Sequence, residues 1–128
     1  MPLYNTATVA TAIGATDKWL DNLLSHTRIT GVQSESQGVS RRLSLAAVTQ
    51  IALTKDLVDL LNVPVSTALR IAAALLEDPD GKALGNSPLH ITLDLDEFRA
   101  GVLESLARAV DLAPTRLRGR PRGRPPKR

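Results

Sequence analysis

The sequence contains no cysteine and very few aromatic residues. Disulfides, thiolate metal sites and cysteine nucleophiles are therefore excluded from its chemistry. Aromatic residues make up 2% of the 128 residues, whereas apolar residues as a whole make up 43%. The hydrophobic core must therefore consist of Leu, Val, Ile and Ala side chains, a composition that favours helices over sheets.

The sequence also lacks several recognisable functional signals. No apolar run approaches the ~20 residues that a membrane span needs, and no basic start precedes an apolar run, so we expect a cytoplasmic protein. No nucleophile-base set, phosphate loop or HExxH pair is present, so we expect no enzyme and no cofactor. Asp94, Asp96 and Glu97 could suggest a metal site, but a helix cap with a solvated face is favoured, and no metal is expected.

The spacing of apolar residues predicts a mainly α fold with a small β component. Leu20, Leu23 and Leu24 have helical spacing, whereas Leu89, Ile91, Leu93 and Leu95 alternate with polar residues as in a half-buried strand. The predicted helices cover 6–13, 17–25, 45–61, 65–77 and 97–111, with Asp96 as the cap of the last. The predicted strands are a hairpin of 28–33 and 38–43, and a lone strand over 89–95.

The first two predicted helices have the features of a helix-turn-helix. Such a pair needs a small residue where the helices cross and a residue tolerant of positive φ at the turn. Ala10 and Gly14 fill these two positions. Val9, Ile13, Ala15, Leu20 and Leu23 fill the apolar positions. The structural alternative is an ordinary corner between two helices of a helical core.

Beyond this corner, the sequence resembles the MerR-type winged helix-turn-helix family over about residues 3–77. The resemblance rests on Tyr4, Ala10, Gly14, Leu20, the segment Arg41-Arg42-Leu43-Ser44 and the break Leu61-Asn62-Val63-Pro64. It implies a winged helix-turn-helix followed by a helix pair, with the second helix in the major groove. It also implies that the arginines of the wing bind phosphates.

Carried over by position, the resemblance implies two sets of DNA contacts. Thr16, Lys18, Asn22 and Ser25 would face the major groove, where Lys reads guanine and Asn reads adenine. Arg28, Arg41 and Arg42 would contact the DNA backbone.

The sequence departs from the family pattern in three respects. Asp17 and Asp21 place two carboxylates in the predicted recognition helix, where phosphates would repel them unless one accepts a hydrogen bond from cytosine. The long antiparallel dimerisation helix is missing, and its place is taken by residues 78–113. The cysteines of metal-sensing relatives are also missing.

The positive charge of the chain is concentrated at its C-terminal end. Seven of the sixteen Lys and Arg residues lie in 116–128 without any acid, which leaves nine against thirteen acids in the remainder. Two Arg-Gly-Arg-Pro copies occupy 118–125, a pattern that resembles the AT-hook. They consist of Arg118, Gly119, Arg120, Pro121, Arg122, Gly123, Arg124 and Pro125.

The physical chemistry of this tail fits the minor groove of A·T-rich DNA. That groove is narrow and strongly negative, so it attracts inserted arginines. Glycine lets the backbone approach the groove floor, and proline keeps the chain extended. We expect the tail to be disordered when free. The alternative is a general phosphate-binding tail that also binds RNA.

These features predict three regions. Residues 1–77 would form the winged helix-turn-helix domain, 78–113 a loop, strand and helix that dimerise, and 114–128 the basic tail. Because a lone strand cannot satisfy its own backbone hydrogen bonds, we expect it to join the wing or a second copy in a homodimer.

The predicted function is DNA binding by a transcriptional regulator or nucleoid-associated factor, with double-stranded, A·T-rich DNA as the partner. One alternative is a protein-interaction module, such as an antitoxin or assembly adaptor, with incidental nucleic-acid affinity. Another alternative is an RNA binder.

Deletion of residues 116–128 should weaken duplex binding by orders of magnitude at moderate salt. With seven charges engaged, the slope of log K against log salt would reach at most ~6 in magnitude. A gel-shift titration at several salt concentrations measures both quantities, and an unchanged affinity would contradict the prediction.

Overall fold

The computed structural model describes residues 3–33, 41–85 and 88–112, which form a mainly helical structure with a small antiparallel sheet. In chain order the elements are β1 (Leu3–Asn5), α1 (Thr6–Ile13), α2 (Asp17–His26), β2 (Val32–Gln33), β3 (Arg42–Ser44), α3 (Leu45–Leu61), α4 (Val65–Glu77), a 3₁₀ turn (Lys82–Leu84) and α5 (Leu95–Leu112). Within the described ranges, no helix is long and apolar enough to cross a membrane.

The first four helices confirm the helical periodicity of the sequence, and side-chain caps fix the starts of α1, α2 and α3. The caps are Asn5, Thr16 and Ser44, whose side-chain oxygens accept hydrogen bonds from the amides of Thr8 (2.8 Å), Trp19 (3.0 Å) and Ala47 (3.2 Å). Such caps satisfy amides that have no partner inside the helix. The bounds of α1, α3 and α4 are those predicted, and α2 extends one residue further, to His26.

The sheet contains one strand, β1, that the sequence analysis did not predict. β3 lies in the middle, with β1 on one side and β2 on the other, and both pairs are antiparallel. Leu43 is opposite Tyr4 in one pair and opposite Val32 in the other. The predicted hairpin of 28–33 and 38–43 is present in shortened form, because β2 begins only at Val32 and β3 covers Arg42–Ser44, so Arg28 and Arg41 lie outside the strands. Residues 34–40 lie outside the described residues.

The prediction of a strand over 89–95 is wrong. Residues 89–94 form neither helix nor strand, and α5 begins at Leu95. The apolar alternation instead reflects an extended segment on the α3–α4 pair, where Ile91 and Leu93 pack against a buried cluster. The amide of Leu93 donates to the carbonyl of Pro79 (2.8 Å), but no strand of the described chain lies alongside to form a ladder.

The start of α5 also differs from the prediction. Asp94, rather than Asp96, accepts a hydrogen bond from a first-turn amide, that of Glu97 (3.2 Å). The helix therefore begins two residues earlier than predicted, at Leu95, and runs to Leu112. The carboxylate of Asp94 thus has a structural role as a helix cap.

Two buried clusters hold the described residues together. The larger one joins α1, α2, β3, α3 and α5, with fully buried Val9, Leu20, Leu43 and Ile51, and Leu106 at 1% exposure. The smaller one lies between α3 and α4 and includes Leu57, Ala68, Ala72 and Leu75. Phe98 of α5 packs against both clusters. Residues 78–112 therefore share the core of the first 77 residues at α5.

Gly14→Ala should destabilise the protein by about 1 kcal/mol, and Gly101→Ala should stabilise it by about 0.5–1 kcal/mol. A Cβ added at either position would lie within 4 Å of no other atom, so neither substitution causes a steric clash. Gly14 adopts the left-handed conformation (φ 74°), whereas Gly101 lies inside α5.

Urea unfolding of both variants gives the two free energies of unfolding. Equal changes of the same sign would contradict the assignment of Gly14 as a conformational requirement.

Candidate nucleic-acid interface

The turn between α1 and α2 is built from three residues with distinct roles. Gly14 ends α1 in the left-handed conformation, and the amide of Ala15 donates to the carbonyl of Ala10 (2.9 Å). Thr16 then caps α2 through its hydroxyl. Since Ala10 is almost completely buried, its small side chain lets neighbouring elements approach α1 closely. The turn thereby fixes the direction in which α2 leaves α1.

Helix α2 has one buried face and one exposed face. Leu20, Leu23 and Leu24 are buried in the larger cluster. The remaining positions, apart from half-buried Trp19, are exposed and polar: Asp17, Lys18, Asp21, Asn22, Ser25 and His26. Leucines at helical spacing therefore anchor the helix and leave its polar face in solvent.

All four residues predicted for the major groove lie on or at the start of this exposed face. Thr16 is exposed, and its hydroxyl already accepts the cap hydrogen bond. Lys18, Asn22 and Ser25 are exposed and follow one another at spacings of four and three residues, which places them along one side of α2. The backbone carbonyl of Asn22 accepts from Nδ1 of His26 (2.8 Å), which leaves the amide side chain of Asn22 outside this bond.

An ion pair connects α2 to the start of β3. The guanidinium of Arg41 lies 3.9 Å from the carboxylate of Asp21, and both side chains keep contact with water. In such an exposed setting the pair contributes at most about 1 kcal/mol to stability. Its consequence is electrostatic, because Asp21 neutralises part of the positive charge of Arg41 close to the exposed face of α2.

The other two predicted backbone contacts are also exposed, one before the hairpin and one within it. Arg28 follows the end of α2, and Arg42 lies in the middle strand, opposite Asn5 and Gln33. Along β3 the side chains alternate, so Leu43 points into the core and Arg42 points away from it. Lys18, Arg28, Arg41 and Arg42 bring four positive charges to these elements, against two negative charges from Asp17 and Asp21.

Trp19 has a packing role in this region. It is half-buried against the larger cluster, and the ammonium of Lys55 lies 5.9 Å from the centre of its ring. This distance allows a cation–π interaction between α3 and α2. The ammonium also lies 2.6 Å from the carboxylate of Asp59. Lys55 thus contacts both Trp19 and Asp59 within the described protein.

The predicted minor-groove residues, 118–125, lie outside the described residues, as does the whole segment 114–128.

Sequence reasoning missed the pairing of Asp21 with Arg41, since these residues are twenty positions apart. It noted Asp21 only as a departure from the family pattern. The one available signal was the coexistence of an acid in the helix with two adjacent arginines at the end of the predicted wing.

The chain is without a recognisable relative in the comparisons with known proteins: no family model matches it, and neither does any curated protein or solved structure.

Proposed function

We propose that this protein binds double-stranded DNA as a transcriptional regulator or nucleoid-associated factor. In this proposal, α1 and α2 form a helix-turn-helix, β2 and β3 form its wing, and the arrangement is of the MerR-like type. The exposed face of α2 enters the major groove, and the Arg-Gly-Arg-Pro copies in 118–125 enter the minor groove of A·T-rich sequence. The place of action would be the cytoplasm, at the nucleoid.

One observation carries the proposal: α2 is anchored by three buried leucines and presents an exposed polar face directly after a glycine-containing turn. Lys18 and Asn22 on this face have donors and acceptors suited to guanine and adenine edges. Arg28, Arg41 and Arg42 stand on the neighbouring segments, where they would bind phosphates and fix the orientation of the protein on DNA.

The carboxylates of α2 set how strongly this face would bind. Asp17 and Asp21 repel phosphates, and Asp21 also holds Arg41 in an ion pair. The body without the tail would therefore bind weakly, and the seven positive charges of residues 116–128 would supply most of the affinity. Because the tail would supply most of the affinity and the body little, an architectural or low-specificity role is favoured over strict recognition of one operator.

The same ion pair favours a second candidate function, a protein-interaction module such as an antitoxin or assembly adaptor. A face with both signs of charge suits a protein partner with complementary charges. In that case the basic tail would give incidental nucleic-acid affinity. An RNA-binding role of the tail is the third possibility.

The double substitution Arg41→Glu/Arg42→Glu should lower duplex affinity at least about tenfold, since it removes two phosphate contacts and adds two repulsive charges. Arg99→Glu/Arg108→Glu on α5 is the matched control, because it makes the same change of net charge at exposed positions. Fluorescence anisotropy with an A·T-rich duplex measures the affinities, with structured RNA as a competitor.

An equal loss in both variants would mean that only net charge matters, which contradicts a defined DNA face. No loss in the Arg41/Arg42 variant favours the adaptor function. Displacement of the duplex by RNA at lower concentration than by unlabelled duplex favours the RNA-binding role.

The proposed DNA binder is a homodimer joined through α5. Beside its buried side, α5 carries a second apolar stripe that is exposed: Ala100, Leu103, Ala107 and Val110. The spacings of three, four and three residues match the seam between two packed helices. Leu103 and Val110 are 46% and 41% exposed, so a partner helix would remove substantial apolar surface from water.

Leu103→Glu should convert the dimer into a monomer, because a charge in this seam would lose its hydration on association. Sedimentation equilibrium gives the mass, and thermal unfolding followed by circular dichroism checks that the variant is folded. A monomeric mass for the unmodified protein, with failure of two differently tagged forms to co-purify, would rule out the dimer.

A further inference from the structure

A groove at the meeting point of several elements contains acidic groups that the proposed DNA contacts do not use. It lies between the end of α1, α3, the segment before α5 and α5 itself, with a volume of about 490 Å³. Its apolar wall includes Ile13, Ala52 and Phe98. Three carboxylates, those of Asp56, Asp94 and Glu97, line the same space, and its described lining includes no Lys, Arg or His.

None of these carboxylates forms a salt bridge among the described residues. The ion pairs of that part of the chain join Asp21 with Arg41, Lys55 with Asp59, and Glu104 with Arg108, and none of them includes a carboxylate that lines the groove. The pKa of Asp56 is raised, first by desolvation on partial burial and then by the negative charge of Asp59, although Lys55 opposes this. A cation beside Asp56 would stabilise its charged form.

The shape and chemistry of the groove fit guanidinium groups better than small ions. Within the described ranges, no three acidic or histidine side chains come close enough together to hold one metal ion. Guanidinium is planar and weakly hydrated, so it pairs with carboxylates and also stacks on apolar and aromatic surfaces such as that of Phe98. An extended segment with several arginines can contact carboxylates that are spread along the groove.

The chain itself carries such a segment within reach. The basic tail follows α5 directly, and the eleven residue-to-residue steps from Gly101 to Leu112 span about 16 Å of helix. The ten steps from Leu112 to Arg122 can span up to about 33 Å when extended. Arginines of the two Arg-Gly-Arg-Pro copies can therefore fold back along α5 to the groove. The body carries a net negative charge without the tail, which adds a long-range attraction.

We propose that the Arg-Gly-Arg-Pro segment, residues 118–125, docks into the acidic groove of its own chain and that DNA must displace it there. The docking stands on the groove and the charges alone, whereas the competition with DNA rests on the proposed function. Because segment and groove belong to one chain, the effective concentration of the segment is of millimolar order, so weak contacts suffice to populate the docked state. The groove thus lowers the affinity of the tail for weak or short DNA sites.

The absence of cysteine allows a direct test of the docking. A nitroxide attached to Lys127→Cys in otherwise unaltered, ¹⁵N-labelled protein should broaden the amide signals of groove residues such as Ala12 and Val102. The triple variant D56N/D94N/E97Q should lose this broadening, and the asparagine that D94N introduces can still cap α5. The matched control E77Q/D78N/D80N neutralises three clustered carboxylates at the end of α4, outside the groove, and should retain it.

Three results of this experiment would overturn the docking. The first is that groove signals do not broaden in the unaltered body. The second is that both triple variants lose the broadening equally, which would indicate general attraction to acids. The third is that ¹⁵N-labelled chains without nitroxide show the same broadening when they are mixed with nitroxide-bearing unlabelled chains, which would place the tail on a second copy.

A DNA-binding measurement separates this proposal from the proposed function. If about 90% of tails are docked, the groove variant should bind an A·T-rich duplex about tenfold more tightly than the matched control, which has the same net charge. Broadening without any duplex binding would sustain the docking and reject DNA binding. Duplex binding without broadening would do the reverse.

Discussion

The packing of α5 against α1 is the interaction on which the rest of the structure depends. Helix α1 has only eight residues, too few to be stable alone, and its buried residues are small: Thr8, Val9 and Ala10. Small side chains allow close approach, and Val102 and Leu106 of α5 join the same buried cluster. The local hydrogen bonds of the Gly14 turn set the direction of α2 relative to α1, whereas a helix about ninety residues later in the chain holds α1 itself in place.

The charges of the body follow from this packing. With α1 held between α5 on one side and α2 on another, the mixed charges of α2 and β3 form one surface, and the carboxylates of Asp56, Asp94 and Glu97 form a separate groove. A strongly basic tail that leaves the end of α5 is attracted by DNA phosphates and by these carboxylates alike. The proposed function and the proposed docking are thus two outcomes of the same charge asymmetry.

The elements that sequence reasoning could predict are those set by local chemistry. Helices α1 and α3 begin after capping side chains, and α4 begins directly after Pro64. They end at Gly14, before Pro64 and at Asp78 respectively, so their bounds could be read from neighbouring residues. The hairpin of β2 and β3 was predicted for the same reason. The exposed polar face of α2 follows directly from the spacing of Leu20, Leu23 and Leu24.

The elements that were missed depend on a partner far away in the chain. β1 is only three residues long and forms because it pairs with the edge of β3. No local sequence pattern predicts this pairing. Residues 89–94 alternate like a strand, but they lie on a helix pair, and no strand in the described part of the chain is placed to form a ladder with them. The Asp21–Arg41 pair and the acidic groove likewise bring together residues from separate elements.

The sequence by itself determined the aliphatic helical core, the caps and turns, and the concentration of arginine at the C-terminal end, because these depend on residue type and short-range spacing. Only the tertiary structure decided which strand edges meet, where α5 packs, and which charges become neighbours. The physical reason is that long-range contacts depend on the shapes and buried surfaces of whole elements, which residue type and short-range spacing do not specify.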